Sequence, residues 1–407
     1  MTDRHRAAAL PLPPRLWRQI AHGTPDPAVL RLLRAARASR NLLLLRALHN
    51  DPRSSADRGP ASALLAAVRG RAPAVFDALI TDPATGVLLA DAVRGGRFDT
   101  VPVLAAVAGH RARIPFRLEI PVRDGTLALP GLGHVTVPPD TVTARVERGA
   151  YGTTVTAPAA PAPVRIPDRP QDGAPGWTPL PRLRFTAQGR RWTVRLDTDA
   201  VAGPAVDGPP GAEGSLPDGP RRLGAAWELL VARHPGRADA VRGTVRAVVP
   251  LAPRPDAPWL SASFSDAFGL VALAPLDDPA DIAAALVHET QHSLLYALQD
   301  LTPLLEAPPG TRGAAPWSDR PRPPSALLHG AAAFLVTSAF WRTESAHGNG
   351  VARAPHERWR RTAHLAAHEL ARGDWLTANG HRLVDALLKV LGEWDAEDGL
   401  RGPERPA

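Results

Sequence analysis

The sequence predicts an α+β protein with a helical N-terminal segment, a β-rich middle module and a mainly helical C-terminal metal-binding region. Three observations predict this class. Apolar residues recur at helical spacing through the first 114 residues, short alternating segments follow to about residue 200, and helical spacing then returns. The length of 407 residues allows two or three domains with a sizeable core. We predict a helical region at 1–114, a β-rich module at 115–200, a Pro/Gly-rich linker at 201–222 and a catalytic region at 223–407.

Composition narrows the classes of function. The chain has no cysteine, which excludes disulfides, thiolate metal ligands and a cysteine nucleophile. No apolar run reaches the ~18 residues that span a membrane, and the N-terminal segment MTDRHRAAALPLPP lacks the apolar core of a secretory signal. A cytoplasmic location is therefore expected, with no membrane partner.

Positive charge is concentrated near the N-terminus. Residues 1–115 hold 17 arginines against 8 aspartates and no glutamate. The same excess fits either an acidic partner or a solvated arginine-rich surface. The basic stripe Arg31, Arg34, Arg37 and Arg40 lacks the interleaved aromatic residues of single-strand binders, and no nucleic-acid partner is expected.

The first elements are helices and then hairpins. Asp26 can cap a helix that begins at Pro27 and continues through LLLLRAL, and shorter helices are expected near 61–68, 74–80 and 86–93. Asp124-Gly125 predicts a hairpin between FRLEIPV and TLAL, and Gln188-Gly189 predicts a second one. The proline-rich stretch 158–181 predicts a long surface loop.

The C-terminal region begins with a helix from about Leu223 to Arg233. Two buried strands are then expected, in GTVRAVVPLA and in SASFSDAFGLVALAP. The following helix has a clear start, because Asp278 can cap it and Pro279 suits its first position, and it should reach about Gln299.

That helix contains His288-Glu289-Thr290-Gln291-His292, an H-E-x-x-H motif. Residues at i and i+4 share one helix face, so two imidazoles at this spacing can bind one divalent metal. Glu289 can hydrogen-bond a metal-bound water or a substrate. We therefore predict His288 and His292 as metal ligands and Glu289 as the catalytic residue. His364 and His368 have the same spacing, but without the glutamate, and we expect them to have a surface or interhelix role.

A catalytic metal needs a third ligand. The candidates are Glu306, His329, Glu344, His347 and the later histidines. His329 is the best placed, because it opens a helix after the SDRPRPPSA loop and Gly330 beside it allows close backbone approach. Arg320 and Arg322 precede it in that loop, and a guanidinium is the preferred planar partner of a carboxylate.

Several segments resemble one family. They are SFSDAFGLVALAP, ALVHETQHSLLYALQDLTPLL and PWSDRPRPPSALLHGAAAFLVTSAFW. Two N-terminal segments, LWRQIAHG and LLRAARASRNLLLLRAL, are also similar. Together they span most of the chain. The chain thus resembles the bacterial H-E-x-x-H peptide-modification proteins, described as 2-oxoglutarate-dependent H-E-x-x-H-type peptide β-hydroxylases. The H-E-x-x-H core alone is shared with many metallopeptidases, whereas the added R-P-x-x-x-x-L-H-G pattern is more specific.

The resemblance implies an iron(II) dioxygenase of peptide modification. Such an enzyme hydroxylates a side-chain β-carbon of a ribosomally synthesised precursor peptide and converts 2-oxoglutarate and O₂ into succinate and CO₂. The family histidines map onto His288, His292 and His329. Either Arg320 or Arg322 would bind the 2-oxoglutarate carboxylate, a role inferred from charge. The precursor peptide and a peptide-modifying partner enzyme are the expected partners.

Two other functions remain open from the sequence. In a zinc metallopeptidase, Glu289 would be the general base on a zinc-bound water. A non-catalytic peptide-binding protein would bind the peptide without converting it. The complete motif favours an active enzyme over the latter.

Overall fold

The computed structural model describes residues 12–51, 59–158, 160, 162–169, 171–197, 218–251, 261–274 and 276–400, with only the backbone at 395–400. Within these residues the chain forms twelve helices and three sheets. The N-terminal helices, the β-rich middle and the helical C-terminus confirm the predicted α+β class.

Six helices make up the N-terminal segment. They are α1 (Pro14–His22), α2 (Pro27–Asn50), α3 (Gly59–Arg71), α4 (Pro73–Ile80), α5 (Pro83–Gly95) and α6 (Thr100–Ala112). The predicted cap is confirmed, because the Asp26 carboxylate accepts hydrogen bonds from the backbone N–H groups of Ala28 and Val29, each at 2.8 Å. The three shorter helices are also present and extend slightly beyond the predicted limits.

Seven strands follow in two small sheets. They are β1 (Phe116–Pro121), β2 (Thr126–Leu129), β3 (Gly133–Thr136), β4 (Thr143–Gly149), β5 (Gly152–Thr156), β6 (Val164–Ile166) and β7 (Trp177–Pro179). One sheet has the order β1-β4-β5-β6 and the other β2-β3-β7.

Two predictions for this region need correction. The turn at Asp124-Gly125 exists, with φ values of 48° and 67°, but a single bridge joins Arg123 to Thr126 before β1 and β2 enter different sheets. Strand β1 pairs with β4 instead, which the turn residues cannot reveal. The stretch 158–181, predicted as a loop, contains β6 and β7, because tertiary pairing overrides its proline content.

The third sheet supports the C-terminal region. Its strands are β8 (Arg182–Ala187), β9 (Arg190–Leu196), β10 (Ala247–Pro250), β11 (Ser261–Phe264) and β12 (Ala267–Leu273), in the order β11-β12-β10-β9-β8. The hairpin at Gln188-Gly189 is confirmed. The segment predicted as one strand, SASFSDAFGLVALAP, is two antiparallel strands joined at 265–266.

This sheet crosses the predicted boundary at residue 200, since β8 and β9 share it with β10–β12. The predicted linker 201–222 lies outside the described residues up to 217. The helix expected from Leu223 begins earlier, as α7 (Gly219–Arg233), and α8 (Pro235–Thr244) follows it. The other domain limits stay predictions.

Four long helices complete the chain. They are α9 (Pro279–Leu301), α10 (Pro324–Ala346), α11 (Arg353–Arg372) and α12 (Ala378–Leu400). Helix α9 lies at the centre, where it packs against α2, α7, α8, α10 and the β11–β12 hairpin. Helix α10 is long and apolar enough to span a membrane, but 78% of its apolar window is buried within the protein, as in the core helix of a globular domain.

Most arginines of the N-terminal basic stripe bind other parts of the same protein. Arg37 donates to the Asp300 carboxylate of α9 at 2.7 Å, and Arg40 pairs with Asp266 between β11 and β12. Arg31 remains exposed. These ion pairs attach α2 to the elements that carry the H-E-x-x-H motif, so much of the local positive charge is neutralised by the protein itself.

Candidate metal centre

Helix α9 contains the H-E-x-x-H motif, and its first turn is fixed by a side-chain cap and a proline. The Asp278 carboxylate accepts the Ala280 N–H at 2.8 Å, and Pro279 takes the first helical position, as predicted. Fixing the first turn fixes the direction of every later side chain on the helix. Because apolar neighbours cover most of the helix, four of its polar residues lie inside the protein, namely Glu289, Thr290, Gln291 and Ser293.

His288 and His292 project from one face of α9 toward α10. The Nε2 atoms of the two rings are 3.1 Å apart. On the other side of its ring, His288 Nδ1 lies 3.1 Å from the Thr337 hydroxyl. That hydroxyl donates to the Ala333 carbonyl oxygen at 2.8 Å and must therefore accept from His288. The proton of neutral His288 thus resides on Nδ1, which leaves Nε2 with its lone pair.

His329 contacts the opposite side of His292. The Nδ1 atoms of these two residues are 3.1 Å apart, and His329 Nε2 lies 3.0 Å from the Gln299 side-chain oxygen. Since an amide oxygen can only accept, His329 donates from Nε2, and its Nδ1 accepts a hydrogen bond from His292 Nδ1. This chain leaves His292 Nε2 unprotonated, so two nitrogen lone pairs face each other across 3.1 Å.

All three rings are held neutral. Burial lowers the pKa of His288, although the nearby Glu289 opposes this shift. Burial, followed by the neighbouring His288 and His329, lowers the pKa of His292 well below the usual value, and burial lowers that of His329 to about 4. Neutral imidazole is the form that binds metals.

The two facing nitrogens fit one divalent ion. Metal–nitrogen bonds of roughly 2.0–2.1 Å place two adjacent ligand nitrogens about 3.0–3.4 Å apart, and the observed separation is 3.1 Å. His329 cannot join them in the same arrangement, because it contacts the other nitrogen of His292. Among the described residues, no three His, Asp or Glu side chains converge on one point.

His329 therefore occupies the position of a residue that orients a ligand. Its assignment as a direct ligand stays a prediction, which would require rotation of a ring. Of the other candidates for third ligand, Glu344 is held by Arg233 and His234, and His347 lies beyond the end of α10 with its Nδ1 2.8 Å from the Thr343 carbonyl oxygen.

Glu289 lies between the histidines and the sheet. Its side chain is buried, and Oε1 accepts a hydrogen bond from the Ser261 hydroxyl of β11 at 2.7 Å. The other carboxylate oxygen, Oε2, is buried without a partner among the described residues. A buried carboxylate oxygen without a hydrogen bond costs free energy. A bound ligand that donates a hydrogen bond to Oε2 would remove this cost.

A cavity of about 640 Å³ opens above His288 and Glu289. Three aromatic side chains line it, namely Phe334, Trp341 and Trp359. Ligand pockets of roughly 300–1,000 Å³ with apolar walls and few polar groups are typical of small-molecule and peptide side-chain sites. The motif therefore faces a space in which a substrate can bind.

Arg320 and Arg322 lie outside this cavity. Both are exposed, and the loop that holds them is fixed by the backbone pairing of Gly313 with Arg322. Nothing in the described structure brings either guanidinium to His288. Their role in binding 2-oxoglutarate remains a prediction from the sequence.

Sequence reasoning missed several residues of the site. Thr337, Gln299 and Ser261 each make one hydrogen bond that orients a motif residue or His329. Thr337 and Gln299 lie in helices that the sequence predicts, but only the crossing of α9 and α10 places them at the site. Trp359 and Arg358 belong to α11, whose packing on α10 no local pattern indicated.

His329→Ala is expected to lower the affinity for a divalent metal by roughly 10–100-fold, the usual effect of removing a group that orients a metal-bound imidazole. Gln299→Ala should act in the same direction, since it removes the hydrogen bond that fixes the His329 proton. Metal titrations with His368→Ala as the control would measure this. A loss as large as that of His292→Ala would identify His329 as a direct ligand instead.

No protein-family model matches this chain. None of the curated proteins matches its sequence. The function is therefore inferred from the site and from the sequence motifs.

Proposed function

We propose that this protein is an iron(II)- and 2-oxoglutarate-dependent dioxygenase that hydroxylates a side-chain β-carbon of a ribosomally synthesised precursor peptide. The observation that supports a metal site most directly is the 3.1 Å separation of the Nε2 atoms of His288 and His292, to which the hydrogen bonds of the two Nδ1 atoms assign free lone pairs. The sequence resemblance supports iron and 2-oxoglutarate as the chemistry at that site.

His288 and His292 would hold the ion. Iron(II) supplies the electron and O₂ chemistry that oxidation of an unactivated C–H bond requires. Thr337 keeps the His288 proton on Nδ1, while His329 and Gln299 keep the His292 proton on Nδ1. These contacts hold both rings in the ligand tautomer before any metal arrives, so the binding costs little reorganisation.

The cavity accounts for the other reactants. Its 640 Å³ is large enough for a five-carbon keto acid together with one peptide side chain. The aromatic wall excludes water from the apolar part of that side chain. The free oxygen of Glu289 can accept a hydrogen bond from a donor group of the substrate. Overall, one oxygen atom of O₂ enters the peptide and the other enters succinate, with loss of CO₂.

A zinc metallopeptidase is the second candidate, and one observation favours it. Glu289 Oε2 is a buried carboxylate oxygen with no protein partner among the described residues, beside a histidine ligand pair. A general base for hydrolysis needs such an oxygen. The two candidates differ in their products, because a peptidase cleaves the peptide and forms no succinate.

The iron-loaded protein is expected to consume 2-oxoglutarate, release succinate and add ~16 Da to its peptide without cutting it, because one oxygen atom is inserted. Anaerobic iron loading followed by a succinate assay and mass spectrometry of peptides encoded beside the gene would measure this. Zinc-loaded protein is the control. Cleavage products in the zinc-loaded sample, with no succinate from the iron-loaded sample, would favour the peptidase.

A further inference from the structure

Arg358 lies at the cavity above His288, on helix α11. Its side chain is exposed at the rim, and it has no carboxylate partner within the part of the chain that the structure describes. Other arginines near the site are paired, as Arg37 is with Asp300 and Arg233 with Glu344. An arginine left unpaired at the opening of a ligand-sized cavity is available to a ligand.

A series of neighbouring rings, of which only Trp359 and Phe334 are stacked, connects this arginine with His288. The guanidinium carbon of Arg358 lies 4.6 Å from the centroid of the Trp359 ring. Trp359 stacks on Phe334 with centroids 4.7 Å apart and an angle of 2° between the planes, and Phe334 lies 5.4 Å from the His288 ring. Stacking restricts the long arginine side chain, so less entropy is lost when its planar fork binds an anion.

The charges of the cavity indicate what the arginine binds. Asp281 and Glu289 are the acidic residues of its lining, and Arg358 is the only arginine or lysine among the described residues that line it. The planar, two-donor edge of a guanidinium matches the two oxygens of a carboxylate, which is the common anionic group of small acids and peptides. A carboxylate placed elsewhere in the cavity would meet the two acidic side chains instead.

We propose that Arg358 forms a carboxylate-binding subsite at the rim of the cavity, which orients a ligand whose other end reaches His288. This inference rests on the proposed function only for the identity of the ligand. In that reaction, either of two molecules can supply the carboxylate. It is either the distal carboxylate of 2-oxoglutarate or an acidic side chain of the peptide.

Calorimetric titration of the full-length, zinc-loaded protein tests the subsite without turnover. The ligands are 2-oxoglutarate, 2-oxobutyrate (which lacks the distal carboxylate), and two blocked peptides of alternating alanine with glutamate or with glutamine. The variants are Arg358→Gln and Arg358→Lys, with Arg361→Gln as the matched control, because Arg361 is an exposed arginine on the same helix outside the cavity lining. Circular dichroism verifies that each variant is folded.

We expect Arg358→Gln to raise the Kd for one of the carboxylate ligands by roughly 10-fold, the loss expected for a hydrogen bond to a charged group on a side chain that keeps part of its hydration. The Kd for the matched ligand without the carboxylate should change by less than about threefold. The Kd of Arg358→Lys for the carboxylate ligand should lie between the values of the wild type and of Arg358→Gln. An effect on 2-oxoglutarate but not on 2-oxobutyrate identifies the cosubstrate. An effect on the glutamate peptide but not on the glutamine peptide identifies the peptide.

The subsite is refuted if the wild type binds none of these carboxylates, or if Arg358→Gln changes every Kd by less than threefold. Weaker 2-oxoglutarate binding in Arg320→Ala or Arg322→Ala, with Arg358→Gln changing the affinity for neither 2-oxoglutarate nor the glutamate peptide, would refute it as well. Failure of the proposed function is separate, because a protein that forms no succinate can still lose carboxylate affinity in Arg358→Gln. Conversely, succinate formation with unchanged affinities would refute only the subsite.

Discussion

His288→Ala and His292→Ala should each lower the affinity for a divalent metal by roughly 100-fold or more. Structural sites with four protein ligands contribute about 10–16 kcal/mol of binding free energy, or roughly 3 kcal/mol for each ligand. That loss corresponds to about two powers of ten in Kd. No third His, Asp or Glu of the described chain converges with this pair, so no neighbouring side chain compensates for the lost ligand.

Elemental analysis of the purified variants and competition with a chelator would measure the affinity. The matched controls are His364→Ala and His368→Ala, which also remove one histidine of an i, i+4 pair, with ring centroids 4.3 Å apart on α11. These controls should retain the metal of the central site. Stoichiometric metal in both His288→Ala and His292→Ala would contradict the assignment of the metal centre.

Glu344→Ala is expected to lower the free energy of unfolding by about 3–5 kcal/mol, the typical cost of breaking a buried charged contact by removing one partner. The Glu344 side chain is fully buried near the end of α10. It accepts hydrogen bonds from Arg233 at 2.6 Å and from His234 Nε2 at 2.8 Å. Its loss would leave a buried imidazole N–H without a partner where α7 meets α8.

The chemistry of His234 supports this estimate. Burial lowers its pKa to about 4, an effect that the nearby Glu344 only partly offsets. The ring is therefore neutral near pH 7 and donates one hydrogen bond to the carboxylate. It also stacks on Phe340 with centroids 4.3 Å apart, so it cannot move to water without disturbing the core.

Urea denaturation of three variants separates the contributions. Glu344→Gln should cost only about 1–2 kcal/mol, because an amide oxygen still accepts one hydrogen bond. Glu357→Ala is the control, since Glu357 forms an exposed i, i+4 pair with Arg353 and should change stability by less than about 0.5 kcal/mol. Equal stabilities for Glu344→Ala and Glu357→Ala would show that the buried contact is unimportant.

The sequence by itself determined the features that depend on neighbouring residues. The cap at Asp278 and the proline after it set the start of α9, and the i, i+4 spacing placed His288 and His292 on one face. The α+β class followed in the same way, from periodicities of 3.6 and 2 along the chain. Each of these requires only local backbone geometry.

The tertiary structure alone decided which distant residues meet. The crossing of α9 and α10 places His329 against Nδ1 of His292 rather than beside both ligand nitrogens. The packing of α11 brings Arg358 to the cavity, whereas Arg320 and Arg322 lie exposed in a loop. The Asp124-Gly125 turn likewise formed without its hairpin, because β1 gains more pairing from β4. Such choices depend on burial and pairing between segments far apart in sequence, and no local pattern encodes them.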